Sequence, residues 1–388
     1  MTADVIIIGA GVIGAATALQ LSLLCTGDVL VLDRAAAGSG MSCRSSALVR
    51  MHYTFAPEVE LAVRSDAMFR AWPELTGRPS CIRRTGFARI VQPGEESALR
   101  ANLAMQRALG AHAEEIDAAG LKELAPGLRV DDIACAAWEP DGGYGDGAIV
   151  AGDLLAAARA RGVRYRPGTP VRELLRDGDR VTGVIAGAHG EREHAGTVIL
   201  AAGVWSPALA HKAGLLLPIE TELHRVAVLA HPPWHGAPFA CIDSVTQTYF
   251  RPEAAGAMTL VGSFAGPRDA DPDHIPDTAG LQDLLPQVQA ASHRLPALAD
   301  AGIARGVTGV YDMTPDARPL LGRLPGLDGL IVAAGFSGMG FKIAPAVGES
   351  LAGLIAGRPE GSVDLAPFRP SRFDEGMPIQ PPNPYSDD

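Results

Sequence analysis

The hydrophobic pattern at the start of the chain predicts a buried strand, a tight turn and a helix. Residues 5–8 are an uninterrupted apolar run, and Gly9, Gly11 and Gly14 follow with the spacing Gly-x-Gly-x-x-Gly. The first two glycines let the backbone approach a pyrophosphate, and the third lets the helix pack close to the strand. Free N–H groups of the first helical turn would face the phosphates. The pattern therefore predicts the first unit of a dinucleotide-binding domain.

A second apolar run indicates that this unit continues. Residues 28–32 end at Asp33, which lies where an acid that binds a ribose hydroxyl is expected after this glycine pattern. Strand, turn, helix, strand and acid thus occur in register. FAD and NAD both place a ribose at this position, so the residues alone leave the nucleotide open.

Helical and strand-like patterns alternate along the rest of the chain. Helices are expected from near Pro57, over 95–110 and 118–124, and from Asp153. Strand-like runs occur at 84–91, 181–186 and 197–201, and the runs 248–252 and 258–262 are expected to pair in an antiparallel sheet.

The order of these elements predicts an α/β protein with two interleaved units. One is a Rossmann-like nucleotide-binding domain, and the other is an α+β substrate-binding domain with an antiparallel sheet. At 388 residues the chain exceeds what one core usually supports. We assign 1–80, 146–215 and 305–370 to the nucleotide-binding domain and 81–145 and 216–304 to the substrate-binding domain. Residues 371–388, which are proline-rich and polar, are expected to form a flexible tail.

Composition excludes several classes of partner. Lys and Arg number 33 against 44 Asp and Glu, and the formal charge of -11 argues against nucleic-acid binding. The five cysteines lack metal-ligand spacing, so no metal is expected and a reducing compartment fits. The apolar stretch 5–24 is interrupted by patterned glycines and lacks a basic leader, so neither a signal peptide nor a membrane span is expected. These observations favour a cytoplasmic protein.

A second glycine-rich turn occurs near the end of the chain. Residues 329–335 predict a buried strand, 336–342 contain Gly338 and Gly340, and 344–356 predict a helix. A helix N-terminus attracts negative charge. If the nucleotide carries a flavin, the negative side of its reduced ring would suit this position, and Lys342 adds a fixed cation.

Four motifs occur together and in order in this chain. They are Gly9-Ala-Gly11-Val-Ile-Gly14, Leu200-Ala-Ala-Gly203-Val-Trp205, Tyr311-Asp-Met-Thr-Pro-Asp316 and Ala333-Ala-Gly-Phe-Ser-Gly-Met-Gly-Phe-Lys342. With them, the chain resembles the D-amino acid oxidase-like family of flavoproteins, in the branch of monomeric sarcosine oxidase, glycine oxidase and the sarcosine oxidase beta chain. The resemblance runs from Ile6 to about Phe368. It implies FAD rather than NAD, and oxidation of a carbon–nitrogen bond in an amino acid.

The resemblance also implies roles for individual residues. Lys342 and Arg50 match the lysine and arginine that hold the substrate carboxylate, a cationic clamp that would orient the substrate for hydride transfer to flavin N5. His52 is a candidate acceptor of the amine proton, although a lone histidine is more often a structural hydrogen-bonding group. Tyr53 and Tyr249 are candidate cavity walls, and both could equally be core aromatics.

The candidate FAD contacts come from the two glycine-rich turns, the ends of neighbouring strands and the loop after the second strand. They are Gly9, Gly11, Val12, Ile13, Gly14, Asp33, Arg34, Ser45, Ser46, Val171, Ala202, Gly203, Trp205, Gly338, Met339, Gly340, Phe341 and Lys342.

Three departures from the family limit what the resemblance implies. The cysteine that tethers flavin in monomeric sarcosine oxidase falls at about Gly309, so noncovalent FAD is expected. The lysine that activates oxygen falls near Leu260, which leaves open whether oxygen or another acceptor reoxidises the flavin. A histidine of that enzyme's substrate site falls at about Phe264, so its substrate cannot be carried over.

The leading hypothesis is an FAD-dependent oxidoreductase acting on a small or secondary amino acid. Alternatives within the same class are a dehydrogenase subunit that passes electrons to a partner and a tailoring enzyme acting on an amine in a biosynthetic pathway. A redox-silent flavin-binding subunit has no evident need for the clamp. An NAD-dependent dehydrogenase would share only the first strand–turn–helix.

Overall fold

The computed structural model describes residues 2–232, 237–358 and 362–387. In chain order the strands are β1 Thr2–Ile8, β2 Val29–Leu32, β3 Leu48–Val49, β4 Arg83–Arg84, β5 Phe87–Ile90, β6 Glu114–Ile116, β7 Ala136–Glu139, β8 Gly143–Tyr144, β9 Arg164–Arg166, β10 Val171–Asp177, β11 Arg180–Ala186, β12 Glu191–Leu200, β13 Glu220–Ala230, β14 Ala240–Asp243, β15 Thr248–Glu253, β16 Met258–Ser263, β17 Gly302–Met313, β18 Leu320–Leu324 and β19 Leu327–Ala334. The α-helices are α1 Val12–Leu23, α2 Ala56–Arg70, α3 Trp72–Thr76, α4 Glu96–Ala108, α5 Ala118–Leu124, α6 Gly147–Ala160, α7 Ser206–Lys212, α8 Leu281–Arg294 and α9 Gly340–Ala356.

The first sheet contains the predicted nucleotide-binding strands. Its order is β10-β11-β19-β12-β1-β2-β9, and β18 pairs with β19. β1 runs parallel to β2 and β12, and Ile8 pairs with Leu32 and Leu200, which aligns the carboxyl ends of these strands. Helices α1, α6 and α9 bury apolar side chains on one face. The other face packs against α7 and the segment before β13, so this is a Rossmann-like layered arrangement with a core on each side.

The second sheet is mostly antiparallel and has the order β17-β13-β16-β15-β14-β5-β7-β6. β15 and β16 pair antiparallel, which confirms the expected pairing of 248–252 with 258–262. β17 belongs to this sheet and pairs with β13 from Glu220↔Met313 to Ala230↔Gly302. Residues 305–313, which the sequence analysis placed with the nucleotide-binding domain, thus lie in the antiparallel sheet, because the pattern of one strand does not reveal its partner.

Two helices begin earlier than their patterns indicate. α6 begins at Gly147 instead of Asp153, because the Asp146 carboxylate accepts the N–H groups of Ala148 and Ile149, each at 2.9 Å. α9 begins at Gly340, which places Lys342 in its first turn.

In the described part of the chain, no helix combines the length and apolar character needed to cross a bilayer.

Residues 371–387 differ from the predicted flexible tail. Arg372 is completely buried and donates to both carboxylate oxygens of Asp316, at 2.8 and 2.9 Å. Tyr385 is 5% exposed and packs among Val91, Leu99 and other apolar residues. Because the segment is polar on average, its composition did not indicate that Arg372 and Tyr385 are buried.

Candidate active site

The first glycine-rich turn depends on backbone contacts that only glycine permits. Gly9 has a φ of +105°, and a Cβ there would lie 2.3 Å from the carbonyl oxygen of Ala201. A Cβ on Gly14 would lie 2.0 Å from the carbonyl oxygen of Gly9. The turn thereby brings the N-terminus of α1 to the carboxyl ends of β1 and β12, where its N–H groups suit an anion.

Asp33 lies beside this turn at the end of β2. Its Oδ2 accepts the N–H of Ala10 at 2.6 Å, and its Oδ1 accepts the N–H of Ala35 at 2.8 Å. The carboxylate is therefore fixed next to the position of a bound nucleotide, and each oxygen retains capacity for a further hydrogen bond.

Arg34 and Trp205 lie beside Asp33 and line the same cavity. The guanidinium carbon of Arg34 lies 4.7 Å from the Trp205 ring centroid. Asp273 joins them, since it pairs with Arg34 at 2.7 Å and accepts the indole N–H at 2.9 Å. This cluster brings the loop after β16 to the edge of the nucleotide-binding sheet.

A cavity of about 580 Å³ follows the carboxyl ends of the parallel strands, where open α/β sheets bind their ligands. Its glycine turn, helix N-terminus and fixed carboxylate fit a dinucleotide. Predicted contacts that line it are Gly9, Gly11, Val12, Ile13, Asp33, Arg34, Val171, Ala202, Gly203 and Trp205. The remaining predicted contacts, Gly14, Ser45, Ser46, Gly338, Met339, Gly340, Phe341 and Lys342, lie outside this lining.

Further lining residues come from a short 3-10 turn, Met41–Arg44, that no motif marked. The Ser42 hydroxyl accepts the N–H of Val12 at 3.2 Å, at the start of α1. Arg44 donates to the carbonyl oxygen of Thr308 at 3.0 Å and pairs with Asp277 at 3.1 Å. The run of small residues after Asp33 was the signal that could have identified this turn.

Arg50 and Lys342 converge on the ring of Tyr53. The Arg50 guanidinium carbon lies 4.2 Å from the ring centroid, and Lys342 Nζ lies 6.0 Å from it. Arg50 donates to the carbonyl oxygen of His52, and its Nε is buried without a hydrogen-bond partner in the described residues. Lys342 Nζ donates to the carbonyl oxygen of Gly338 at 3.5 Å. Neither cation forms an ion pair with any carboxylate of the described chain. The structure thus brings together the two residues predicted to bind a carboxylate.

The charge of Lys342 is held in an unfavourable environment. The residue is 7% exposed, and its pKa lies well below the usual value because of burial and, secondarily, repulsion by Arg50, whereas Glu58 acts in the opposite direction. An anion bound between the two cations would favour the protonated amine.

Glu139 contacts residues 50–52, which carry Arg50 and are called the clamp segment here, and it is completely buried. Its Oε2 accepts the N–H of Met51 at 2.8 Å. Burial raises the pKa of Glu139 to about 8, although the Met51 hydrogen bond and the Arg50 charge act against this rise. The carboxyl group is therefore mostly protonated at pH 7, so it neutralises the charge of Arg50 only weakly.

Asp312 organises the second glycine-rich turn, a role that the sequence analysis missed. Its Oδ2 accepts the N–H of Gly335 at 2.7 Å, and its carbonyl oxygen accepts the N–H of Ser337 at 3.0 Å. Burial raises the pKa of Asp312 to about 6 despite these backbone bonds. Gly338 packs against Tyr311 so closely that a Cβ would lie 2.6 Å from the ring. The Tyr-Asp pair of the third motif thus shapes the turn that carries Lys342.

His52 faces a tyrosine of the 371–387 segment. Its Nε2 lies 2.9 Å from the Tyr385 hydroxyl, and the two rings stack. The pKa of His52 is well below its usual value because of burial, with further repulsion from Arg89 and Arg50. Burial and these two charges therefore disfavour the protonated imidazole.

Tyr249 lies on β15 with its ring across Gly262, where a Cβ would lie 2.2 Å from the ring. Burial raises the pKa of its phenol and that of Tyr311, and the two phenols lie close enough to influence each other's pKa. Through Tyr311, Tyr249 is connected to the glycine-rich turn before Lys342.

The chain is similar to known proteins over almost its whole length. Among curated proteins, 4-methylaminobutanoate oxidase (formaldehyde-forming) of Paenarthrobacter nicotinovorans is 28% identical over 383 residues, covering 94% of this chain and 45% of that protein. Glycine oxidase of Geobacillus kaustophilus is 28% identical over 384 residues, covering 95% of this chain and 97% of that protein. The chain thus spans about half the length of some curated relatives and nearly all of another.

Solved structures show the same architecture. L-proline dehydrogenase from P. horikoshii superposes with a TM-score of 0.87 at 25% identity, covering 97% of this chain and 99% of that one. Glycine oxidase from Geobacillus kaustophilus superposes with a TM-score of 0.81 at 25% identity, covering 96% and 99%. A family model described as FAD dependent oxidoreductase matches residues 4–354. The chain therefore belongs to the FAD dependent oxidoreductase family, with FAD as its cofactor.

Proposed function

We propose that this chain oxidises a small or secondary amino acid to an imine, with the substrate carboxylate held between Arg50 and Lys342. The observation that carries the proposal is the convergence of these cations on Tyr53 without an ion-pair partner in the described residues. Buried charges are costly unless they are paired. A substrate carboxylate would supply the missing partner and accept hydrogen bonds from both side chains.

In this proposal the clamp contributes orientation. FAD, bound noncovalently, supplies the acceptor for the hydride. Fixing the carboxylate on two cations also fixes the adjacent carbon and amine, which lowers the entropic cost of reaching the reactive geometry. The hydride leaves the carbon with its electron pair, and the neutral amine's lone pair forms the C=N bond of an iminium ion. Loss of the N–H proton to water gives the imine, and hydrolysis by water gives the carbonyl compound and the released amine. His52 is not assigned the amine proton, because its low pKa and its contact with Tyr385 favour a positioning role.

A second candidate is a dehydrogenase that passes electrons to a partner instead of oxygen. Leu260, at the position where the resemblance implies an oxygen-activating lysine, is 6% exposed and packs with Val226 and Tyr249. This apolar environment supports an acceptor other than oxygen. The structurally similar protein from P. horikoshii, an L-proline dehydrogenase by name, is consistent with this candidate.

The testing experiment is anaerobic reduction of the bound flavin, followed by readmission of air. Sarcosine, proline, pipecolate, glycine and several L- and D-amino acids would be added to the FAD-loaded protein while flavin absorbance is recorded. Bleaching by one class is expected and would identify the substrate type. Rapid return of colour in air would identify an oxidase, and slow return a dehydrogenase. Failure of every amino acid to bleach the flavin would contradict the proposed function.

A further inference from the structure

Tyr385 contacts the segment that carries the clamp arginine. The Tyr385 hydroxyl lies 2.9 Å from His52 Nε2, and the ring centroids lie 5.8 Å apart at an interplanar angle of 14°. The carbonyl oxygen of His52 accepts a hydrogen bond from Arg50. One residue therefore separates Tyr385 from the clamp.

Arg50 and Arg89 both lower the pKa of His52, and they differ in whether they form an ion pair within the described residues. Arg50 forms no ion pair within the described residues. Arg89, on β5, pairs with Asp387 at 2.5 Å, and the two side chains are only 8% and 6% exposed. The Ser244 hydroxyl donates to the other oxygen of Asp387 at 2.7 Å. A guanidinium near the clamp is thus occupied by a carboxylate of the same chain.

The surroundings of Arg89 connect it to the candidate substrate site. Its guanidinium carbon lies 5.1 Å from the Tyr385 ring centroid and 5.9 Å from that of Phe264. Phe264 packs against the cluster that contains Tyr249. Arg89 and Arg50 both repel a proton from the imidazole of His52, so both charges lie near it. Arg89 therefore packs on Tyr385, which hydrogen-bonds His52, and the carbonyl oxygen of His52 in turn accepts from the clamp residue Arg50.

We propose that Arg89 is a second carboxylate-binding residue of the substrate site, which Asp387 occupies in place of a substrate carboxylate. This inference rests on the proposed function, because the first carboxylate must be held by Arg50 and Lys342. A guanidinium binds a carboxylate with matched geometry. A second carboxylate on a substrate would meet the negative charge of Asp387, which makes Asp387 a specificity determinant that excludes diacids.

The test compares butyrate and succinate, which have the same number of carbons, as non-reacting ligands of the FAD-loaded protein. Binding is measured from the perturbation of flavin absorbance, so no turnover is needed. In the unaltered protein, succinate is expected to bind no more tightly than butyrate. In Asp387→Asn, the affinity for succinate relative to butyrate is expected to rise about tenfold. Asp374→Asn, an exposed position in the same segment, makes the same charge change away from Arg89 and is expected to leave the ratio unaltered.

An unchanged succinate-to-butyrate ratio in Asp387→Asn would overturn the role of Arg89 while leaving the clamp intact. Failure of the unaltered protein to bind butyrate would instead reject the clamp, and with it both proposals. Asp387→Asn leaves Arg89 buried without its partner and is expected to lose stability. If the variant is too unstable for titration, its melting temperature gives the same answer: a larger rise with succinate than with butyrate supports the proposal, and equal rises oppose it.

Discussion

Glu139 Oε2 accepts the backbone N–H of Met51 at 2.8 Å and so connects strand β7 of the antiparallel sheet to the residue that follows Arg50. The hydrogen bond thus joins β7 to the segment that follows β3. Because burial raises the pKa of Glu139 to about 8, a neutral carboxyl group holds the clamp segment at pH 7. Arg50 keeps its charge available for a substrate.

This arrangement predicts a pH dependence that Glu139→Gln should remove. As the pH rises through about 8, Glu139 ionises and competes with the substrate carboxylate for Arg50, so kcat/KM should fall. Gln keeps an oxygen that can accept the Met51 N–H and cannot ionise. The measurement is kcat/KM of both proteins between about pH 6 and pH 10, with Glu114→Gln on neighbouring β6 as the control. An identical alkaline decline in Glu139→Gln would exclude Glu139 as its cause.

The same ionisation should affect stability. The pKa of Glu139 is raised in the folded protein from 4.5 to about 8, so the folded state binds this proton more tightly than the unfolded chain. Its contribution to stability is complete below about pH 4.5 and is lost as the pH rises through about 8. Unfolding by urea across this range should show a smaller loss at high pH in Glu139→Gln.

Lys342→Met should remove one half of the clamp and leave the cofactor in place. Loss of a charge-assisted hydrogen bond to the substrate is expected to lower kcat/KM for amino acids about 100-fold, or ~3 kcal/mol. The flavin-to-protein ratio should not change, since Lys342 lies outside the lining of the nucleotide cavity. Lys122→Met, which removes a lysine that hydrogen-bonds Leu128 elsewhere in the fold, is the matched control. Normal kinetics in Lys342→Met would reject the clamp.

Gly9→Ala should abolish flavin binding, because the added methyl group would clash with a neighbouring carbonyl oxygen in addition to straining the backbone. The new Cβ would lie 2.3 Å from the Ala201 carbonyl oxygen, at a φ of +105°. Gly162 has a nearly equal φ of +99° and no atom within 4 Å of an added Cβ. Gly162→Ala therefore carries the strain alone, about 1–2 kcal/mol, and should retain flavin. Flavin content after purification distinguishes the two, and equal retention would show that the Ala201 contact is dispensable.

The local patterns were sufficient to predict the nucleotide-binding part of the site. Gly9, Gly11 and Asp33 act within one strand–turn–helix–strand unit, so their spacing along the chain determines their spacing in space. Arg50 and Lys342 lie far apart in sequence, and only the family resemblance brought them together before the structure did. Their convergence on Tyr53 follows from the packing of α9 against the parallel sheet.

Other contacts could not be read from local patterns. Glu139 and Asp312 are ordinary acids in sequence, and their roles arise from burial against backbone N–H groups of distant segments. Tyr385 lies in a polar, proline-rich stretch whose composition predicts flexibility. A single aromatic ring and a buried ion pair fix such a segment without changing its average composition.

Whether residues 371–387 stay folded against the rest of the protein should depend on Arg372 more than on any exposed ion pair. Arg372 is fully buried, donates to both oxygens of Asp316, and also donates to the carbonyl oxygens of Pro319 and Arg318. Arg372→Met would leave Asp316 buried without its cation, at an expected cost of about 3–5 kcal/mol in the free energy of unfolding. Arg369→Met, three residues earlier, removes a pair with Glu375 whose side chains are 35% and 40% exposed, so a change below about 1 kcal/mol is expected. Urea unfolding measures the difference. Limited proteolysis should then cut within 373–387 in Arg372→Met and spare Arg369→Met, because the buried pair holds this segment against the parallel sheet and the exposed pair does not.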